Sequence, residues 1–289
     1  MKKLMFAIGL AGVCGAACAD VTSANIVGYN QRTTANYMYV GTPFTGVGGG
    51  ESFTWKDFKV NVDETGDIGD GWQALADSIN MLNQNGSYVR TIIYLPQFLA
   101  EVYEVNKGWY DAMCTDTEDY TNPDDCYNDE VINFGEAFQV HADPGTARFD
   151  FAGEVKQAPT VTDCANYMGI ANCACKTLKA RDLIVNCDET GDGDGSGWQP
   201  LADSINMLNL NGSYVRTVIY LPQFLAEVYE VEKGWYDAMC TDTEDYTNPD
   251  DCYNDKLVWE AGEGFQIHAD PGTATITVKS ALAKDEVAE

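Results

Sequence analysis

The chain has 289 residues, 45% of them apolar, with 45 acidic against 17 basic side chains and a formal net charge of −28. That apolar share is enough to bury real cores, which argues against wholesale disorder. A field of that sign repels nucleic-acid phosphates and anionic membranes, and only two histidines leave little material for His-based metal or triad chemistry.

Lys2 and Lys3, the apolar stretch from Leu4 to Ala17 and the Ala17-Cys18-Ala19 pattern read as an export signal over residues 1–19. No later run reaches the length of a membrane span. The expected location is therefore the cell exterior, the cell surface or the periplasm. The segment 25–40 shows no clear second copy and reads as an open edge available for self-association.

From residue 52 onward the chain is one unit written twice. Residues 72–129 and 198–255 differ at four positions only, Ala74/Pro200, Gln84/Leu210, Ile92/Val218 and Asn106/Glu232. The likeness extends outward, from 52–67 against 177–192 to 135–147 against 262–274. The division expected is a β domain over 20–154 and a second over 155–289, with the boundary near Pro159. The period exceeds that of familiar solenoid repeats.

Within a unit the signals are mostly those of strands. Residues 78–82 read as a strand, with a helical turn allowed over 72–77. NQNGS (83–87) is a hairpin turn, because Asn-Gly supplies positive φ. SYVRTIIYL is rich in β-branched and aromatic residues, and Pro96 ends that strand. EVYEV (101–105) alternates polar and apolar residues. EAFQVHA (136–142) alternates with Phe138 and Val140 inward and Gln139 and His141 outward. ADPGT (142–146) turns the chain, and ARFDFA (147–152) alternates again. The fold class expected is all-β: two tandem homologous sandwich-like domains with disulfide-clipped acidic loops.

The opening SANIVGYNQ (23–31), with D-S-I-N-M-L-N, N-G-S-Y, G-W-Y-D and a late G-E-x-F-x-V, resembles uncharacterised exported β-rich repeat proteins of Verrucomicrobia- and Lentisphaerae-type bacteria. More loosely, GEAFQV and GEGFQI are similar to the last strand of bacterial surface domains that end in P-G-x-G-Y-W-V, without its proline and tryptophan. The resemblance implies an all-β fold and export. It implies no activity.

Two acidic loops carry the strongest chemical signal. The first places Asp63 and Asp67 between glycines, and its copy offers Asp188, Asp192 and Asp194. Hard cations take six to eight oxygens, and glycine lets backbone carbonyls join them, so these loops are candidate calcium ligands. The second loop, 114–129, repeats unchanged at 240–255 and offers Asp116 and Asp119, then Asp242 and Asp245. Cys114 and Cys126 bracket it, as do Cys240 and Cys252. In an exported chain these are the preferred disulfides, each stabilising by about 3 kcal/mol in the chain-entropy model. The pairing of Cys164, Cys173, Cys175 and Cys187 stays open.

Trp109, Tyr110, Trp235 and Tyr236 in G-W-Y-D are candidate glycan-stacking rings, against the plainer alternative of core packing. His141 and His268 occupy equivalent strand positions and lack the partners of a catalytic base. No nucleophile elbow, phosphate loop or dinucleotide fingerprint appears. The function expected is a non-enzymatic structural or interaction protein of the cell surface or exterior, its partner being itself or a polysaccharide. The alternatives are a calcium-assisted carbohydrate-binding module and, more weakly, a secreted hydrolase.

Overall fold

In the computed structural model, residues 26–33, 38–46, 52–62, 79–84, 89–142, 147–164, 168–187, 205–210, 215–269, 272 and 274–282 are described. The export signal and the helical turn expected over 72–77 lie outside them.

Strands dominate, and the protein is all-β. The first half contains β1 (Val27–Thr33), β2 (Met38–Val40), β3 (Ser52–Thr54), β4 (Lys59–Val62), β5 (Asn80–Gln84), β6 (Val89–Leu95), β7 (Gly108–Asp111), β8 (Val131–Asn133), β9 (Phe138–His141) and β10 (Ala147–Glu154). The second half repeats the series: β11 (Thr160–Asp163), β12 (Met168–Ala171), β13 (Leu178–Lys179), β14 (Ile184–Cys187), β15 (Asn206–Leu210), β16 (Val215–Leu221), β17 (Gly234–Asp237), β18 (Val258–Trp259), β19 (Gly264–His268) and β20 (Ala274–Val278). Each half builds a three-stranded sheet (β1-β10-β4; β11-β20-β14) and a five-stranded sheet (β2-β9-β5-β6-β7; β12-β19-β15-β16-β17). A two-stranded ribbon (β3-β8; β13-β18) completes it.

The main core of the first half lies between its two larger sheets. Ile92, Tyr94, Trp109 and Phe138 face Phe149 and Phe151 across it. Alternate residues of β6 go the other way: Ile93 and Leu95 pack under a short helix, α1 (Gln97–Val102), against Tyr110, Cys114 and Tyr120. A strand buried on both faces must be apolar at successive positions, which is why TIIYL runs without alternation. The aromatic core is edge-to-face in part, with Tyr94 and Trp109 at 5.0 Å and Phe58 and Phe138 at 5.5 Å.

The second half fills the same space differently. Where β10 offers Phe149 opposite Val60, β20 offers Ile276 opposite Val185. Where β8 places Ile132 opposite Phe53, β18 places Trp259 opposite Leu178. Trp55 sits in the 3-10 turn after β3, and Ala180 stands in the corresponding turn after β13. One buried indole has moved from the turn to the strand. Such volume-conserving exchanges keep a core packed at little cost.

The halves meet through β2–β9 and β12–β19, in a pseudo-two-fold arrangement. The Gly41 N–H donates to Gly262 O (3.1 Å), and the equivalent Ala171 N–H donates to Gly135 O (2.8 Å). Val40 bridges Glu263, and the equivalent Ile170 bridges Glu136. Tyr39, Ala137 and Ala171 form a small buried cluster across the junction. Arg32 Nη1 lies 3.3 Å from Glu263 Oε1, and Arg32 Nη2 donates to Ala261 O (3.2 Å).

Three expectations are corrected here. Segment 25–40 does have a counterpart: β1 and β2 match β11 and β12, and its edge at β2 is committed to the junction. EVYEV is not a strand: the chain after Pro96 forms α1 and ends it at Tyr103, with Leu99 and Ala100 buried. Gln139 does not point to solvent. It is buried because β9 runs between β2 and β5 with both faces covered. The bridges expected between Cys114 and Cys126 and between Cys240 and Cys252 are not shown: the eight described cysteines stand as free thiols in this structure. Cys114 and Cys126 nonetheless pack in one cluster beside Tyr110. Burial, with Asp125 nearby, pushes the Cys114 thiol up to about 11. Among the described residues no helix is long and apolar enough to cross a membrane.

Candidate functional site

Each half carries a cleft at the same place, between the 3-10 turn, the strand that follows it, and the start of β7 or β17. The first has a volume of 380 Å³, the second 230 Å³. The local sequence explains how each wall is held. In the first half Thr54 N–H and Oγ1 both donate to Asp57 Oδ2 (2.8 Å each), which closes the turn. In the second, Lys179 N–H donates to Asp182 Oδ2 (3.0 Å). The Lys56 N–H then donates to Asn128 O, and the Arg181 N–H to Asn254 O, both at 3.0 Å.

The opposite wall is fixed by Asn128 and Asn254. Asn128 Oδ1 accepts from Trp109 N–H (2.9 Å), and Asn254 Oδ1 from Trp235 N–H (2.9 Å). Gly108 and Gly234, both at φ +150, let the chain pass directly over these carboxamides. Trp109 Nε1 donates to Trp55 O (3.1 Å). Its counterpart Trp235 Nε1 is buried without a partner, as is Trp55 Nε1.

The rim is cationic in an otherwise acidic chain. Lys56, Lys59 and Lys107 line the first cleft, Arg181 and Lys233 the second. Lys56 pairs with Asp129 and Arg181 with Asp255, so those two charges are spoken for. Lys107 and Lys233 make no ion pair among the described residues and stand exposed at equivalent positions.

Several residues singled out from sequence fall elsewhere. Trp109 and Trp235 are 0% and 1% exposed and form the floor of the clefts, so neither ring offers a face for a sugar to stack on. Tyr110 and Tyr236 point to the other side of the sheet, and each hydroxyl donates to a backbone carbonyl, of Asn106 and Glu232, at 2.6 Å. The stacking-platform expectation is corrected: large rings at period-two positions of a sheet covered on both faces are core. Asp63, Asp67, Asp188, Asp192 and Asp194 lie outside the described residues, as do the side chains of Asp116 and Asp242.

Asp119 and Asp245 are exposed, and each spends Oδ1 on a local turn. The hydroxyls of Thr121 and Thr247 donate to them at 2.7 Å, which holds both carboxyls below the usual range. Among the described residues no three His, Cys, Asp or Glu side chains gather as a metal set. His141 and His268 close β9 and β19, half-buried, opposite Asn80 and Asn206.

Sequence reasoning passed over the clefts. The signal that marks them is the recurrence of Lys-Gly-Trp with an asparagine 19 positions after the tryptophan, at Trp109/Asn128 and Trp235/Asn254. No family model matches the chain, and no curated protein or solved structure is significantly similar to it.

Proposed function

We propose that the protein is an exported, non-enzymatic interaction protein of the cell surface or exterior, whose two homologous domains present one binding cleft twice. The observation that carries this reading is the equivalence of the two clefts: the same tyrosine, tryptophan, glycine, asparagine and unpaired lysine recur in both. Two linked sites raise avidity toward a repetitive partner without any new contact. A net charge of −28 disfavours a polyanion, so the partner is a neutral, hydroxyl-rich polymer whose oxygens accept from the lysines. The loops bracketed by Cys114 and Cys126, and by Cys240 and Cys252, close as disulfides in an oxidising compartment. The experiment is a pull-down of residues 20–289 on a panel of insoluble neutral polysaccharides, with calcium and then with EDTA. Retention in both conditions is the expected result. Retention that EDTA abolishes would instead favour calcium held by the acidic loops, and no retention on any polymer would refute the polysaccharide partner for those tested.

A further inference from the structure

The junction between the halves is two-fold in its backbone but not in its side chains, and the differences are complementary. Equivalent positions meet at the axis. Position 41 faces position 171, and one is glycine while the other is alanine. Position 137 faces position 264, and again one is alanine and the other glycine. A Cβ added to Gly41 falls 2.5 Å from Ala171 Cβ, and one added to Gly264 falls 2.6 Å from Ala137 Cβ, below the 3.0 Å that real Cβ atoms respect. Tyr39, packed on Ala137 and Ala171, has Gly169 as its counterpart. A Cβ on Gly169 would fall 2.0 Å from Ala137 O. The ion pair is one-sided too, because Arg32 of the first half takes Glu263 of the second.

We infer that this surface is built to accept the unlike half and to reject a like one. Two first halves facing each other would bring Ala137 onto Ala137, and two second halves Ala171 onto Ala171. Both approaches repeat Cβ contacts that the structure avoids by placing a glycine opposite. Two-fold surfaces are by default self-complementary and invite dimers of like units. Breaking the symmetry at these positions removes that competitor, as built-in clashes do elsewhere. The partner of the edge formed by β2 and β9 is therefore the edge formed by β12 and β19, supplied by the same chain.

The test uses the full mature chain and thermal melting. Gly41→Ala lowers the melting temperature, and the drop shrinks at least twofold when Ala171 is also changed to glycine. Gly264→Ala behaves the same way against Ala137→Gly. The background changes remove only a methyl group and leave the backbone pairing intact. A second readout is tryptic cleavage after Lys156, between the halves, which accelerates in Gly41→Ala and returns toward the parent rate in the double variant. Equal drops in both backgrounds would place the clash inside each half, on Glu136 O and Ile170 O, and overturn the inference. If Gly41→Ala cannot be recovered folded, recovery of the Gly41→Ala/Ala171→Gly chain supports the inference and failure to recover it overturns it.

Discussion

Replacing Gly108 by alanine strikes the device that holds the first cleft open. At φ +150 an L side chain is strained, and backbone strain of this kind costs about 1–3 kcal/mol. The new Cβ would stand 2.0 Å from Asn128 Oδ1, so the carboxamide must leave. Its departure strands the N–H of Trp109, a residue with no exposure, at a further cost of about 1–3 kcal/mol. The expected loss is about 3 kcal/mol, or roughly 6–12 °C in melting temperature at the scaling of a domain of 150–250 residues. Urea unfolding followed by tryptophan fluorescence reads it. Gly234→Ala should lose a similar amount, because Asn254 Oδ1 stands at the same 2.0 Å. In an Asn128→Ala background the clash and the acceptor are already gone, so Gly108→Ala should add only the backbone share, about 1 kcal/mol. A loss under about 1 kcal/mol, or full additivity with Asn128→Ala, would refute the reasoning.

Two other perturbations follow from titratable groups. Burial holds the Glu136 carboxyl above its ordinary value, although it accepts from Asn133 N–H (3.1 Å). Its ionised form is thus disfavoured in the fold, and stability declines as pH rises from the unfolded value through the raised folded one. Glu136→Gln should raise the melting temperature at pH 7 and lose that advantage below about pH 4, where both states hold the proton; equal gains at both pH values would contradict it. The thiols of Cys114 and Cys240, pushed up to about 11 from 9.0, should alkylate about 100-fold more slowly in the native reduced protein than after unfolding. In chain produced in an oxidising compartment and denatured without reductant, peptides carrying Cys114 and Cys126 should take up no label. Full labelling there would contradict the proposed bridges.

What could be read in advance follows from how each element is stabilised. The strands over 89–95 and 147–152 were legible because β-branched and aromatic runs reflect local preference and burial together. EVYEV was misread because alternation over five residues is also what the end of a helix produces. Pro96 opens that helix, and Leu99 and Ala100 bury in a cluster with Tyr110, Cys114 and Tyr120, beyond the reach of a five-residue pattern. The second copy of the opening strands escaped notice because those strands lie on the junction, where the halves had to diverge to fit one another. Its trace is the tetrapeptide Ala-Asn-Tyr-Met, at 35–38 and again at 165–168. The candidate rings of G-W-Y-D stood open between stacking and core packing, because which face is covered depends on partners distant in sequence.

The claim that two equivalent clefts share one repetitive partner has a direct measurement. On whichever neutral polysaccharide retains the mature chain, the retained fraction is compared for the parent, Lys107→Glu, Lys233→Glu and the double variant, with melting curves confirming that each is folded. The account predicts partial loss for each single change, similar in size, and collapse of binding for the pair, since either cleft alone forfeits the avidity of two. A double variant retained like the parent would contradict it.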